Sequence, residues 1–238
     1  NHIIEKLKQK AEVKWIVSCK GSWDMIISLE TDSLEGVNDL KEKVLELFKS
    51  HISEKAISIL VEAETYNRNY LLGKSSSNKS RIIMKKDEET KLDKLDLKIL
   101  QSLSKNARNS IINIAQEVNS TVRVVNYRIK QLIKEKVILG FKIALDYEKL
   151  GIKFYKTFIY LDNSKKEKVE LLLKDFVVDK NIIHNTKVIG NWDFEPEFEV
   201  YSEEEFDKSL TKIKDKYSEI IKKIDIITIS KEHKFVYF

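Results

Sequence analysis

Apolar residues along the chain recur in two rhythms, a period of two and a period near 3.6, and the switches between them predict the elements. Short apolar runs at Val13–Cys19 and Ile182–Ile189 each lead into a glycine, and further runs follow at Met25–Thr31 and Phe194–Tyr201. Gly21 and Gly190 mark tight turns, so each pair of runs predicts a β-hairpin. In the second hairpin Phe194, Pro196, Phe198 and Val200 alternate with acids. That pattern predicts a half-solvated strand, with Pro196 at a bulge or a sheet edge. Val37, Leu40, Val44, Leu47 and Phe48 lie on one face of a helix over Leu34–Ser50. Glu203–Ile220 repeats that pattern behind Ser202, a good N-cap for a helix whose first turn is acidic. Closing strands are predicted at Ala56–Glu62 and Ile224–Ser230.

These elements form an internal repeat. A shift of 169 residues lays Gly21-Ser22-Trp23-Asp24 on Gly190-Asn191-Trp192-Asp193. It also lays Ser33 on Ser202, Val37 on Phe206, Val44 on Ile213 and Phe48 on Tyr217. The second copy has a strand at Phe154–Leu161 and a helix at Lys165–Phe176 ahead of its hairpin, giving βαββαβ, the ferredoxin-like order. The first copy starts within a helix, His2–Lys10, with no strand before it. The expectation is that upstream sequence, or a strand lent by a neighbour, completes its sheet. The fold class read from this is α+β: a helix-turn-helix of winged-helix type between two ferredoxin-like domains, the N-terminal one incomplete.

The domain boundaries expected are a partial effector or dimerisation domain at 1–73 and a linker at 74–90, with a short strand at Arg81–Met84. A helical module at 91–140, a connecting strand or linker at 141–151 and a complete effector domain at 152–238 follow. In the middle module Asp93 caps a helix over Leu95–Leu103, and Ser110 caps one over Ile111–Val118. Asn119-Ser120 makes a turn, with Asn suited to a left-handed conformation. A third helix at Thr121–Glu135 turns Val122, Val125, Ile129, Leu132 and Ile133 inward. That spacing is a helix-turn-helix. Thr121, Arg123, Asn126, Tyr127, Arg128 and Lys130 point outward. With Arg108 and Ser120 nearby, they are the candidate DNA contacts, since such side chains meet base edges and phosphates. A plain three-helix bundle with a solvated face is the alternative.

The caps, the turn and the placement of Arg108, Arg123 and Arg128 favour the first reading, while charge alone suits both, since lysines can also merely solubilise a small helical domain. The net charge is +5, and residues 91–140 carry ten Lys/Arg against four Asp/Glu. Residues 1–73 carry ten against twelve, and residues 141–238 carry eighteen against nineteen. A basic segment between mildly acidic ones suits a polyanion-binding module. Other chemistry is poorly provided for. One cysteine, Cys19, excludes a disulfide framework and a thiolate cluster, and the four histidines show no metal-ligand spacing. Six glycines, with no GxGxxG or Walker A sequence, leave no phosphate-cradling loop. No catalytic residue, metal or cofactor is therefore expected. With no membrane-length apolar run, the expected location is the cytoplasm.

Leu92-Asp93-x-x-Asp96-x-x-Ile99-Leu100, Asn106-Ala107-Arg108, Ile114-Ala115, Val125-x-x-Arg128-Ile129-x-x-Leu132 and Val137-Ile138-x-Gly140-Phe141 together resemble the DNA-binding half of the Lrp/AsnC (leucine-responsive, feast/famine) transcription regulators. The resemblance continues through Leu150-Gly151 and Gly190-x-Trp192-Asp193. An effector-like domain ahead of the helix-turn-helix departs from the family's usual order, as a tandem of two such proteins would. The resemblance implies a sequence-specific regulator that binds double-stranded DNA, responds to an amino acid or related small molecule, and forms a homo-oligomer or pseudo-dimer through its effector domains. By position it implies effector contacts at Gly190 and Asp193, and at Gly21 and Asp24 in the first copy. The same residues suit a purely structural reading, with glycine making the turn and aspartate capping it. Trp23 and Trp192 fit packing better than ligand contact.

Two other functions are open to the sequence. Siroheme decarboxylases share this resemblance but handle a tetrapyrrole, for which histidine and arginine would be wanted near the sheet. Residues 152–238 offer only His184 and His233 and no arginine. An architectural DNA-binding protein without an effector is the third.

Overall fold

The computed structural model describes residues 2–31, 33–48, 51–72, 82–84, 91–162 and 165–236. Most of the linker expected at 74–90 lies outside these. The chain forms two compact units, one of residues 1–85 with 145–233 and one of residues 86–144 with 234–238.

In chain order the first unit begins with α1 (His2–Lys8), the hairpin β1 (Val13–Gly21) and β2 (Met25–Leu29), then α2 (Leu34–Phe48) and β3 (Ile59–Thr65). A 3₁₀ turn at Asn69–Leu72 and β4 (Ile82–Met84) follow. After three helices of the other unit, it resumes with α6 (Tyr147–Leu150), β5 (Lys153–Leu161), α7 (Lys166–Val178), β6 (Ile182–Ile189), β7 (Phe194–Val200), α8 (Glu203–Lys216) and β8 (Ile221–Phe235). Residues 141–146, expected as a connecting strand or linker, form no strand; Asp146 instead caps the single turn of α6.

The eight strands among the described residues join one sheet in the order β2-β1-β8-β5-β7-β6-β3-β4. Its centre, β8-β5-β7-β6, is the ferredoxin-like sheet of the second copy. The first copy is divided between the two flanks, its hairpin beside β8 and its last strand beside β6. These two junctions are equivalent under the 169-residue shift, so the copies meet isologously, as the protomers of a twofold dimer do. Gly21 and Gly190 show the same reciprocity. A β-carbon at Gly21 would collide with the Ile226 carbonyl oxygen, and one at Gly190 would sit 3.0 Å from that of Ile57. Gly21 has a φ of +122°, open to glycine but strained for other residues.

Each copy packs its helices on one face of the sheet. In the second, Tyr155, Ile159, Leu161, Phe194 and Phe198 meet Leu172 and Phe176 of α7 and Phe206, Leu210 and Ile213 of α8. The opposite face carries a shared core in which Val17 and Cys19 meet Phe158, Val188, Trp192 and Ile227.

That shared core overturns one sequence expectation. Every position of β7 is buried, including Glu195, Glu197 and Glu199. The acids alternate because one face of β7 is apolar and the other is polar but covered by the first copy. Pro196 likewise sits between β5 and β6 rather than at an edge, and the register shift nearest it lies in the pairing with β6, between Ile182 and His184. The buried acids are paired, as buried charges must be. Lys156 lies 2.7 Å from Glu195 and 3.0 Å from Glu197. Burial disfavours its charge, but the two carboxylates outweigh that and hold the ammonium well above the ordinary lysine range. Arg68, from the first copy, grips Glu199 with two bonds of 2.7 and 2.8 Å, and Tyr147 donates a third at 2.9 Å. The arginine missing from residues 152–238 is thus supplied from outside them.

Candidate nucleic-acid interface

The second unit holds α3 (Lys94–Lys105), α4 (Ile111–Glu117) and α5 (Val122–Lys134), within a residue or two of the predicted spans. Each begins at a side-chain cap. Asp93 accepts from the Leu95 and Asp96 N–H groups at 2.8 Å, and Asp96 returns a bond to the Asp93 N–H at 3.2 Å, closing a capping box. Ser110 accepts from Asn113 at 3.1 Å and Thr121 from Val124 at 3.3 Å. Ile99, Ile114, Ala115, Val118, Val125 and Leu132 form the buried core.

The turn between α4 and α5 sets their angle. Asn119 takes the left-handed conformation predicted for it, with φ +52°. The Ser120 N–H then reaches the Ala115 carbonyl at 2.8 Å. The start of α4 is tied to its end and to α3, because Glu117 accepts from Ser102 at 2.6 Å and from Asn109 at 2.9 Å. Those two donors, Ser102 first, hold the Glu117 carboxyl below the ordinary range.

With Val125 and Leu132 buried, helical geometry turns Arg123, Tyr127 and Lys130 to the opposite side of α5, and all three are exposed. Thr121 and Arg108 are exposed, while Asn126 and Ser120 are half-buried. Arg128 behaves differently from the outward side chain expected. It turns back to α3, where its guanidinium lies 2.9 Å from Asp93 and 3.2 Å from Asp96. Thr121 is the N-cap rather than the first residue of the helix. Val122 and Ile133, predicted to face inward, are 46% and 47% exposed, because they flank a three-helix core too small to cover them. Exposed Val122, Val124 and Tyr127 add apolar surface beside Arg123, a feature the inward assignment of Val122 concealed.

In the first unit, Asp193 ties the β6–β7 hairpin to β5. Its carboxylate accepts from the Leu161 N–H at 2.8 Å and its own N–H donates to the Ile159 carbonyl at 2.9 Å. Asp24 is exposed and gives its carbonyl to the Cys19 N–H at 2.8 Å. Gly190 and Gly21 pack against backbone of the other copy. The two pairs of candidate effector residues therefore lie at equivalent turns, about the contact between Trp23 and Trp192. His184 meets the hydroxyls of Thr65 and Thr186, and His233 meets that of Ser18. Among the described residues no group of three metal-ligating side chains is assembled, and no helix is long and apolar enough to cross a membrane.

Residues 92–138 match the family described as winged helix-turn-helix DNA-binding. An HTH-type transcriptional regulator of Pyrococcus abyssi is 34% identical over 102 residues, which are 43% of this chain and 68% of that protein. An AsnC family transcriptional regulator from Agrobacterium tumefaciens has a similar structure, with a TM-score of 0.55 at 18% identity, over 62% of this chain and 95% of that one. A transcriptional regulator from Neisseria meningitidis, solved as its L-Met complex, gives a TM-score of 0.54 at 17% identity over 62% and 95%. These structural likenesses concern the fold.

Proposed function

The chain belongs to the Lrp/AsnC family of helix-turn-helix transcriptional regulators, and from that premise we propose that it regulates transcription by placing α5 in the major groove of duplex DNA. The observation that carries this reading is the exposed row Arg123–Tyr127–Lys130 opposite the buried Val125 and Leu132. Arg123, near the start of the helix, is placed to reach base edges, with Asn126 behind it. Lys130, about two turns along, and Arg108, Ser120, Thr121 and Tyr127 serve phosphates. Arg128 positions α5 through Asp93 and Asp96 and contributes charge from there.

Binding to genomic fragments recovered with the protein tests this. Affinity should fall steeply with salt and exceed that for random duplex. Equal binding of all fragments would leave only an architectural role.

The finer part of the proposal is an amino-acid effector, held near the turns that contain Gly190 and Asp193 and, in the first copy, Gly21 and Asp24. The L-Met complex of the Neisseria neighbour supports it. Turn N–H groups suit a carboxylate and aspartate suits an ammonium. Thermal shifts with the twenty amino acids are the test; no shift with any of them sinks the effector.

A further inference from the structure

Within the helical unit, α3 carries a second basic row. Lys94, Lys98, Gln101 and Lys105 recur at intervals of four, three and four residues, so they share one face of the helix, and all four are exposed. The exposed row of α5, Arg123, Tyr127, Lys130 and Lys134, has the same spacing. The two rows do not form one surface. α3 turns Ile99 into the core, α5 turns Val125 and Leu132 into the same core, and each row lies on the side of its helix turned from that core. They therefore point away from each other, and a duplex held by α5 leaves the α3 row uncovered.

The α3 lysines also lack acidic partners. In the first unit lysines and acids are interspersed and pair, as Lys165 and Lys168 do with Glu219 at 2.6 and 2.9 Å. In the helical unit Asp93 and Asp96 turn to Arg128, and Glu117 is taken by Ser102 and Asn109. Among the described residues no carboxylate forms an ion pair with Lys94, Lys98 or Lys105. The row is unfavourable to α3 itself. Lys94 and Lys98 are like charges one turn apart, and Lys94, the first residue of α3, sits at the positive end of the helix dipole. A surface that serves solubility alone intersperses the two signs. A bound polyanion offsets the cost of a single-sign row.

We propose that the lysine row of α3 binds the phosphate backbone of a second duplex segment, so that one helical unit holds two stretches of DNA. α5 reads one; α3 grips the other without sequence preference. From Lys94 to Lys105 the helix rises about 16 Å, over which one DNA strand presents about five phosphates. Lysine is a flexible point charge that suits phosphate, and the row has no arginine for bidentate base contacts. A protein partner fits less well, because protein interfaces are depleted in lysine and enriched in aromatic residues. The second contact rests on α5 reading the first duplex.

The test is capture in trans with the full chain. Beads carrying the preferred duplex are saturated with protein at low salt, and retention of a labelled random duplex is measured. Lys94→Gln, Lys98→Gln and Lys105→Gln together should cut retention about tenfold or more, while affinity for the preferred duplex changes by less than about twofold. Arginine at the same three positions should keep retention, since the charge is what acts. Lys208→Gln, Lys212→Gln and Lys214→Gln in α8, exposed and equal in charge change, should also keep it. No retention by the unaltered chain, or equal retention by the α3 glutamine variant, overturns the proposal and leaves a solvated face. Equal loss in the α8 variant overturns it in favour of net charge alone. Matching losses of retention and preferred-site affinity place the α3 row on the duplex of α5 and overturn it as well. Failure of the α5 reading shows separately, as equal holding of preferred and random duplexes by the unaltered chain.

Discussion

Trp23 and Trp192, equivalent residues of the two copies, lie with ring centroids 6.2 Å apart at the ends of their hairpins. Their indole N–H groups fare differently. That of Trp192 donates to Glu195 at 2.7 Å, whereas that of Trp23 is buried with no partner among the described residues. The cause is local, because the position matching Glu195 in the first copy is Ile26.

A paired substitution should expose that difference. Trp192→Phe leaves Glu195 short of a donor and should cost about 1–3 kcal/mol. Trp23→Phe loses ring area but strands no partner, so its cost should be at least about 1 kcal/mol smaller. Urea unfolding of both variants measures the gap; equal costs would mean that the Trp192 bond contributes nothing net.

Arg123→Ala should weaken binding to the preferred DNA site by about 1–3 kcal/mol while barely changing binding to random duplex. Lys130→Ala should weaken both alike and reduce the salt slope by about one. Titrations of the two DNAs at several salt concentrations separate these outcomes, and identical behaviour of the variants would refute the placement of α5.

Arg128→Ala should act through folding. Its partners are Asp93 and Asp96 at the start of α3, so the helical unit should melt earlier and Asp96→Asn should add little to the loss. Additive effects of the two changes on the melting temperature would argue against the pair.

Asp193→Ala removes the acceptor of the half-buried tie to Leu161 and should lower stability by about 1–3 kcal/mol with or without ligand. Asp24→Ala, at the exposed equivalent, should cost less. Comparable losses from both would mean that the Leu161 bond is not the source.

Cys19 reports on the shared core. Burial, only partly opposed by Lys156, pushes its thiol up to about 11, whereas an unfolded thiol titrates at roughly 8.5. The folded pKa is the higher one, so this contribution to stability is complete below the unfolded value and is lost as pH rises through the folded one. Iodoacetamide at pH 8 should label Cys19 in urea but hardly at all in the native chain. Fast native labelling would mean that the core opens.

The helix-turn-helix was legible almost residue by residue, since its caps and its left-handed turn at Asn119 are local signals. The repeat also gave the ferredoxin-like order and the equivalence of Gly21 with Gly190. Burial of Glu195, Glu197 and Glu199 could not be read locally, because alternation looks the same whether the polar face meets water or a second polar layer. Nor could the return of Arg128 to α3 be read, since helix periodicity places a side chain on a face without saying what it reaches. The partner of Glu199, Arg68, lies 131 positions away in the chain, a contact that only topology creates.

The junctions β1–β8 and β6–β3 join segments of one covalent chain. Dilution cannot separate them, so no monomer–dimer equilibrium governs this interface, whatever the protein concentration. In a homodimer each substitution falls on both sides of the twofold. Here each falls once, so one half can keep Glu195 while the other keeps Ile26. Covalent linkage thereby lets two halves that began alike take on unequal duties while their junctions stay matched.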